Sequence, residues 1–245
     1  WIEQMMTEGV RVHPVVEPPF ADHPFYRWES PEAHMRAVME ADRHLSIGSL
    51  EYVPFEEVRG VAETCVVHPW VVARQGDKWR LCHDYSIGTN QYVATTPFIL
   101  PSPWDVRPCL RPGSHFAKYD IRDGFFHVPV HPDSRRYMVV RHPGTGRLMW
   151  APRLPFGYVD SPRLFCSLME ALADSLRSSV DSPGSVWRTE ESTEDRIHLV
   201  LSRPDGHGGV GEIHFFVFVD DWLVVGDTLE LTTLGCSMLI ECLRR

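Results

Sequence analysis

The sequence predicts an α+β fold, with an antiparallel sheet backed by helices. Three observations predict it. Two very apolar runs, residues 213–219 and 222–225, flank an Asp220-Asp221 turn, the pattern of a buried hairpin. A helix over residues 161–177 opens at Ser161-Pro162 and turns Leu164, Phe165, Leu168, Met169, Leu172 and Leu176 to one side. A last helix is expected over roughly 229–243, close enough to cover the same sheet.

The remaining elements follow in chain order. Residues 1–30 are Pro-rich and are expected to be an irregular arm. Ser30-Pro31-Glu32 has the composition of a helix start, with Ser30 as cap and Pro31 at the first helical position. That helix should run to about Leu45, with Met35, Val38, Met39 and Asp42 along its partly apolar stripe. The β-branched run 64–73 predicts a strand broken at Pro69. Lys78 to Tyr85 returns around Gln75-Gly76-Asp77 as the second arm of a hairpin. Residues 114–121 predict a strand that ends in Asp120, followed by a short helical turn near Gly124-Phe125-Phe126. Residues 136–140 and 147–151 predict another hairpin. The polar stretch 178–211 predicts a long insertion, with a strand only near 197–201.

Composition bounds the class. The chain has 245 residues, 43% hydrophobic and 23% charged, enough for one large domain or two small ones. No apolar run is long enough to span a bilayer, and the N-terminus has no basic-then-apolar leader, so no membrane partner is expected. The chain begins with Trp1 and is expected to be a fragment of a longer reading frame. An intracellular location, cytoplasm or nucleus, follows as an expectation. The six cysteines form no C-x-x-C pair and match no zinc-module spacing, so free thiols are expected. His-Pro recurs at 13, 23, 68, 131 and 142 as turn punctuation.

The net charge of −9 disfavours a generic nucleic-acid binder, but the charge is segregated. Residues 100–156 carry 9 basic and 4 acidic side chains, net +5, between acidic flanks. A surface facing a phosphate backbone is expected from that middle segment.

The chemistry-bearing residues are Asp120 and the pair Asp220-Asp221, each at a strand end in apolar surroundings. Adjacent carboxylates at an apolar turn repel each other and are costly to desolvate, and a divalent cation relieves both problems. Alone, such a pair is more often a solvated turn. Its neighbours change that. Phe-Val-Asp220-Asp221 resembles the aromatic-x-Asp-Asp box of reverse transcriptases. Asp120-Ile-Arg-Asp-Gly-Phe-Phe-His-Val-Pro-Val resembles the family's first catalytic motif. Leu154-Pro-Phe156-Gly157-Tyr-Val-Asp-Ser-Pro-Arg-Leu-Phe165 resembles its Leu-Pro-x-Gly and Ser-Pro-x-x-Phe motif. Trp79-Arg80-x-x-x-Asp84-Tyr85 with Asn90 resembles its fingers motif. The four occur in the family's order over about residues 31–245.

The resemblance implies a right-hand polymerase palm with a fingers subdomain and the thumb absent. It implies an N-terminal arm over 1–30 and a fingers–palm domain over 31–245. The fingers would lie at about 31–110 and 128–157, and the palm at about 111–127 and 158–245, with 178–211 as insertion. The implied activity is RNA-directed DNA polymerisation in a retrotransposon or retrovirus-like element. The partners would be an RNA or DNA template with primer, dNTP, and RNase H and integrase portions of the same polyprotein. Two Mg²⁺ (or Mn²⁺) ions would be held by Asp120 and Asp220, with Asp221 as supplement and the Ile121 carbonyl on one ion. Arg80, with Arg74 or Lys78, would clasp the triphosphate. Phe125 would pack under the sugar and select against a 2′-hydroxyl. Gly157 would let the backbone approach the templating pair, with Phe156 where retroviral members have Gln. Two other readings are a catalytically incompetent or co-opted fragment that only binds nucleic acid or protein, and a viral RNA-dependent RNA polymerase. The latter usually carries Gly-Asp-Asp and a smaller or polar residue in place of Phe125.

Overall fold

The computed structural model describes residues 1–23, 28–76, 78–181, 185–190, 198–205 and 208–244, with backbone only at 73–75, 78–81 and 190. The chain forms two compact units: residues 1–96 with 123–162, and residues 97–122 with 163–245.

The first unit contains α1 (Ile2–Glu8), β1 (Ala21–Asp22), α2 (Pro31–Ser46), β2 (Glu51–Tyr52), α3 (Val58–Thr64) and β3 (Val66–His68). It continues with β4 (Trp70–Gln75) and β5 (Lys78–His83), and, numbered through the whole chain, β7 (Val139–Arg141) and β8 (Leu148–Trp150). A mixed sheet runs in the order β1-β3-β7-β8-β2, and β4-β5 form a separate hairpin. Pro69 separates β3 from β4, as expected of a residue that cannot donate to a ladder. Val53, Val61, Cys65, Val67, Val139 and Leu148 form a core cluster.

The start of the chain differs from the expected irregular arm. Residues 2–8 are helical, and Met5, Val10 and Val12 are buried. Val10 N–H donates to the Pro129 carbonyl at 2.8 Å, and Val12 N–H to Ser134 Oγ at 2.9 Å. β1 pairs in parallel with β3. The prolines hid this, because the segment's hydrogen-bond partners are supplied by distant chain. In α2 the cap is as expected: Ser30 Oγ accepts from Ala33 N–H at 3.1 Å. The buried stripe, however, is Ala33, Ala37, Ala41 and His44, while Met35 and Met39 are exposed. The period was legible and the phase was not, because small residues carry the packed side.

The basic middle segment is partly neutralised inside this unit. Arg135 pairs with Glu51 at 3.4 Å, Arg136 with Glu17 at 2.8 Å and Arg141 with Asp22 at 2.5 Å. Arg147 stacks 3.7 Å over the Tyr52 ring. Such exposed pairs contribute about 0–1 kcal/mol each. Their consequence is that much of the charge expected to face phosphate already faces carboxylates.

Two local devices fix this unit. His68 is almost fully buried, lies 3.1 Å from the Val139 carbonyl through Nδ1, and accepts from Thr89 N–H at 3.1 Å through Nε2. Only the neutral ring with its proton on Nδ1 satisfies both. Burial therefore holds His68 down at about 4, and it does the same to His44. The second device is Gly157, at φ +96°. A Cβ there would lie 2.1 Å from the His83 carbonyl oxygen. The Asn90 side chain clips the same loop, donating to the Gly157 carbonyl at 2.9 Å and accepting from Val159 N–H at 3.0 Å.

The second unit contains α4 (Pro103–Val106), β6 (His115–Asp120), β9 (Arg188–Glu190), β10 (His198–Pro204), β11 (Val210–Phe218), β12 (Asp221–Gly226) and α6 (Leu229–Leu243). It also holds α5 (Ser161–Val180) from residue 163 onward. Its sheet is fully antiparallel, in the order β6-β12-β11-β10-β9. Strand alternation puts Tyr119, Trp222, Val224, Ile213 and Phe215 on one face. Both helices cover that face. Trp222 Nε1 points at Met169 Sδ in α5 at 3.4 Å, and Gly235 in α6 sits against Ile213, Val224 and Phe215. The Ser161 hydroxyl at the start of α5 donates to the Pro155 carbonyl at 2.7 Å.

Among the described residues of the expected insertion, two strands extend the sheet. β10 pairs with β11 over seven residues, from His198↔Phe216 to Pro204↔Val210, and β9 pairs with β10. Leu199, Val200 and Leu201 are all buried, so this strand, expected near 197–201, is covered on both faces and continues to Pro204.

Two measurements check this account. Buried His44 and His68 have folded pKa values of about 4 against an ordinary 6.5, so the unfolded chain takes up their protons first. Stability from them is complete above pH 6.5 and is lost as pH falls toward 4, on the order of 2 kcal/mol for each. Urea unfolding at stepped pH should show a slope over that window that shrinks in His68→Gln, and an unchanged slope contradicts the assignment. Gly157→Ala should lower stability by roughly 2 kcal/mol or more, since the backbone must move and φ is unfavourable to alanine. A melting temperature equal to wild type would contradict it.

Candidate active site

The site is built on the β6–β12 pairing. In that register Asp221 is the direct cross-strand partner of Asp120, and Tyr119 of Trp222. Direct partners in an antiparallel pair project to the same face, with Cβ atoms about 5 Å apart. The Trp222 and Tyr119 side goes to the helices, so both carboxylates go to the face that α5 and α6 leave open.

The hairpin turn is shifted by one residue from the expected Asp220-Asp221. Phe218 pairs with Asp221, so the two-residue loop is Val219-Asp220 and Asp221 belongs to β12. Val219 has φ +55°, a conformation that costs a β-branched residue about 1–2 kcal/mol. Such tight hairpins need positive φ, and the sequence masks the requirement by placing Val where Gly or Asn is usual. The turn is tied down where Ile121 N–H donates to the Asp220 carbonyl at 2.9 Å. Asp120, Asp220 and Asp221 are therefore gathered at one end of one strand pair, together with the Ile121 backbone.

The electrostatics are unbalanced. Burial, then the nearby Asp120 and Asp221 charges, push the Asp220 carboxyl above its ordinary range. Lys118, two residues before Asp120 on the same face, reaches Asp221 Oδ2 at 2.7 Å. The other oxygen, Asp221 Oδ1, is buried without a hydrogen bond. Lys118 thus faces all three carboxylates, most directly Asp221. Lys118 was missed at the sequence level, although strand alternation from Asp120 could have found it. The donor set is all hard oxygen and carries one orphaned buried atom, which fits Mg²⁺ or Mn²⁺.

The other expected site residues lie in the first unit. Phe125 is buried in a short 3₁₀ turn (Gly124–His127), its ring centroid 4.8 Å from that of Phe156, which is partly exposed. Gly157 has an intramolecular reason for being glycine, the His83 carbonyl. Asp123, at φ 55°, receives Arg43 at 3.3 Å and makes no side-chain cap bond. Arg74, Lys78 and Arg80 stand on the backbone of the β4–β5 hairpin, in the register Ala73↔Arg80, Arg74↔Trp79 and Gln75↔Lys78, but their side chains lie outside the described residues. Among the described residues no helix is long and apolar enough to cross a membrane.

Known proteins resemble this chain in the same region. The family model described as reverse transcriptase (RNA-dependent DNA polymerase) matches residues 77–245. The Gag-Pro-Pol polyprotein of bovine leukemia virus (isolate Australian) is 31% identical over 112 residues, 43% of this chain and 8% of that protein. The Gag-Pol polyprotein of walleye dermal sarcoma virus is 30% identical over 107 residues, 43% of this chain and 6% of that protein. This chain thus spans less than a tenth of those viral relatives. Among solved structures, the native crystal structure of prototype foamy virus protease-reverse transcriptase aligns with a TM-score of 0.61 at 17% identity. The alignment covers 96% of this chain and 26% of that one. That likeness shows the fold, α+β with antiparallel sheets and helices. With the family model covering well over half of its residues, the chain belongs to the reverse transcriptase family.

Proposed function

We propose that the chain is the fingers–palm part of an RNA-directed DNA polymerase of a retroelement, adding dNTP to a primer 3′-hydroxyl on an RNA or DNA template. The observation that carries the reading is the convergence of Asp120, Asp220 and Asp221 on the open face of the β6–β12 pair. In this reading the unit with the antiparallel sheet is the palm and the unit with the β4–β5 hairpin holds the fingers.

Asp120 and Asp220 would hold two Mg²⁺ (or Mn²⁺) ions, with the Ile121 carbonyl on one of them. Bound there, the ions would acidify the 3′-hydroxyl and neutralise the triphosphate. Asp221 plays a supporting part, because Lys118 already occupies one of its oxygens. Lys118 holds that carboxylate by its ion pair, and it moderates the repulsion that Asp220 feels. Exposed Phe116 and Phe218, on the same open face, offer apolar contact to sugar or base. Arg80, with Arg74 or Lys78, would bind the β- and γ-phosphates, a task that suits the bidentate guanidinium. Phe125, backed by Phe156, would meet the 2′ position of the incoming sugar. RNase H and integrase portions of a common polyprotein remain the proposed covalent partners.

The test is primer extension on an RNA template with Mg²⁺ or Mn²⁺, by the chain and by a longer product of its reading frame. Asp220→Asn should abolish extension, a loss of at least about 10³-fold if the carboxylate holds the ions. Phe125→Val should raise rNTP relative to dNTP incorporation. Template binding with no extension by either protein would sink the polymerase reading and leave a binding module. An unchanged sugar preference would remove the role of Phe125 alone.

A further inference from the structure

We propose that Cys109, His198 and His214 form a second metal site, for a borderline-soft divalent ion of the Zn²⁺ class. It lies on the same sheet face as the carboxylates but is separate from them. Asp221 pairs with Phe218 on β11, and His214 is four residues away along that strand, roughly 13 Å.

Three distant segments meet here. Cys109 closes a 3₁₀ turn (Arg107–Cys109). His198 opens β10 opposite Phe216, and His214 precedes Phe216 by two residues on the same face of β11. The His198 ring stacks on Phe216 with centroids 4.1 Å apart and planes at 12°, which fixes its orientation. One ligand atom from each of the three residues can be chosen so that all lie within 4.8 Å of one another.

The geometry fits tetrahedral coordination. His198 Nε2 and His214 Nδ1 are 3.2 Å apart. Two nitrogens bound to one Zn²⁺ at about 2.0–2.1 Å stand about 3.3 Å apart, so neither ring has to move. A plain histidine–histidine hydrogen bond accounts for that distance as well, and the metal reading rests on the third group, the Cys109 sulfur, within 4.8 Å of a nitrogen of each ring. His214 is 6% exposed, and its Nε2 is buried without a hydrogen bond. Glu212 Oε2 lies 3.4 Å from that nitrogen, and Arg111 anchors Glu212 at 2.8 Å. A carboxylate behind an imidazole keeps the proton on the far nitrogen and the near one free to ligate. The arrangement is therefore poised with Nδ1 toward the metal and Nε2–H toward Glu212.

Two imidazoles and a thiolate select Zn²⁺-type ions over Mg²⁺, and water completes the fourth position. Binding requires Cys109 to lose its thiol proton to solvent as the S–metal bond forms. The ion would tie the segment before β6 to β10 and β11, and so steady the strand that carries Asp120.

The test titrates metal-free protein with Co²⁺ as an optical probe and then with Zn²⁺. Wild type should show one equivalent of a thiolate-to-cobalt charge-transfer band that Zn²⁺ displaces, and Zn²⁺ should raise its melting temperature. Cys109→Ser and His198→Gln, checked for folding by circular dichroism, should lose both effects. Glu212→Gln should keep the band and weaken Zn²⁺ about 10–100-fold. Asp220→Asn and Cys236→Ser should behave as wild type. No charge-transfer band in wild type, a band that survives Cys109→Ser, or one lost in Asp220→Asn would overturn the proposal. None of these readouts depends on polymerase activity.

Discussion

The register between β6 and β12 is the constraint on which the rest of the site depends. Because strand side chains alternate with a period of two, a one-residue slip would turn Asp120 and Asp221 toward α5 and α6 and bring Trp222 out to water. The buried Trp222 at Met169 and the tight approach of Gly235 to Ile213 and Val224 resist that slip. The helices thus fix the register that holds the carboxylates in place. The same pairing closes the Val219-Asp220 turn, whose positive φ at valine is strain that the flanking strands must overcome.

This architecture gathers negative charge where it is not self-compensating. Asp220 is held above its usual range by burial and by its two neighbours, while Lys118 pairs directly with Asp221 and only partly offsets that repulsion. Groups arranged against their own stability are characteristic of functional sites. Elsewhere the chain does the opposite: Arg135, Arg136 and Arg141 meet Glu51, Glu17 and Asp22, and Arg111 meets Glu212 and Asp227. The uncompensated carboxylates therefore stand out from a background of local pairing.

Much of this was legible in sequence because the signals were local. The Ser30-Pro31 start of α2, the strand ending at Asp120, the 3₁₀ turn at Gly124–His127 and α6 all rest on short-range capping or apolar period. What was not legible depends on distant chain. The N-terminal segment borrows partners from Pro129 and Ser134, and β9, which no local signal marked, is defined by its pairing with β10. The one-residue shift of the turn follows from pairing at Phe218↔Asp221, which no local rule reveals when valine takes a glycine-like conformation. The three carboxylates were found by their apolar surroundings and motif. Lys118 was overlooked because its meaning comes from the cross-strand partner.

The central claim is that the three carboxylates are mutually unfavourable until a divalent cation joins them. Its most direct test compares melting temperatures of wild type and Asp220→Asn, without metal and with millimolar Mg²⁺ or Mn²⁺. Since ionised Asp220 costs stability at neutral pH, the metal-free variant should melt at or above the wild-type temperature. The cation should raise wild type and leave the variant nearly unmoved. A metal-free Asp220→Asn protein that melts well below wild type, or a wild type that ignores the cation, would contradict the account.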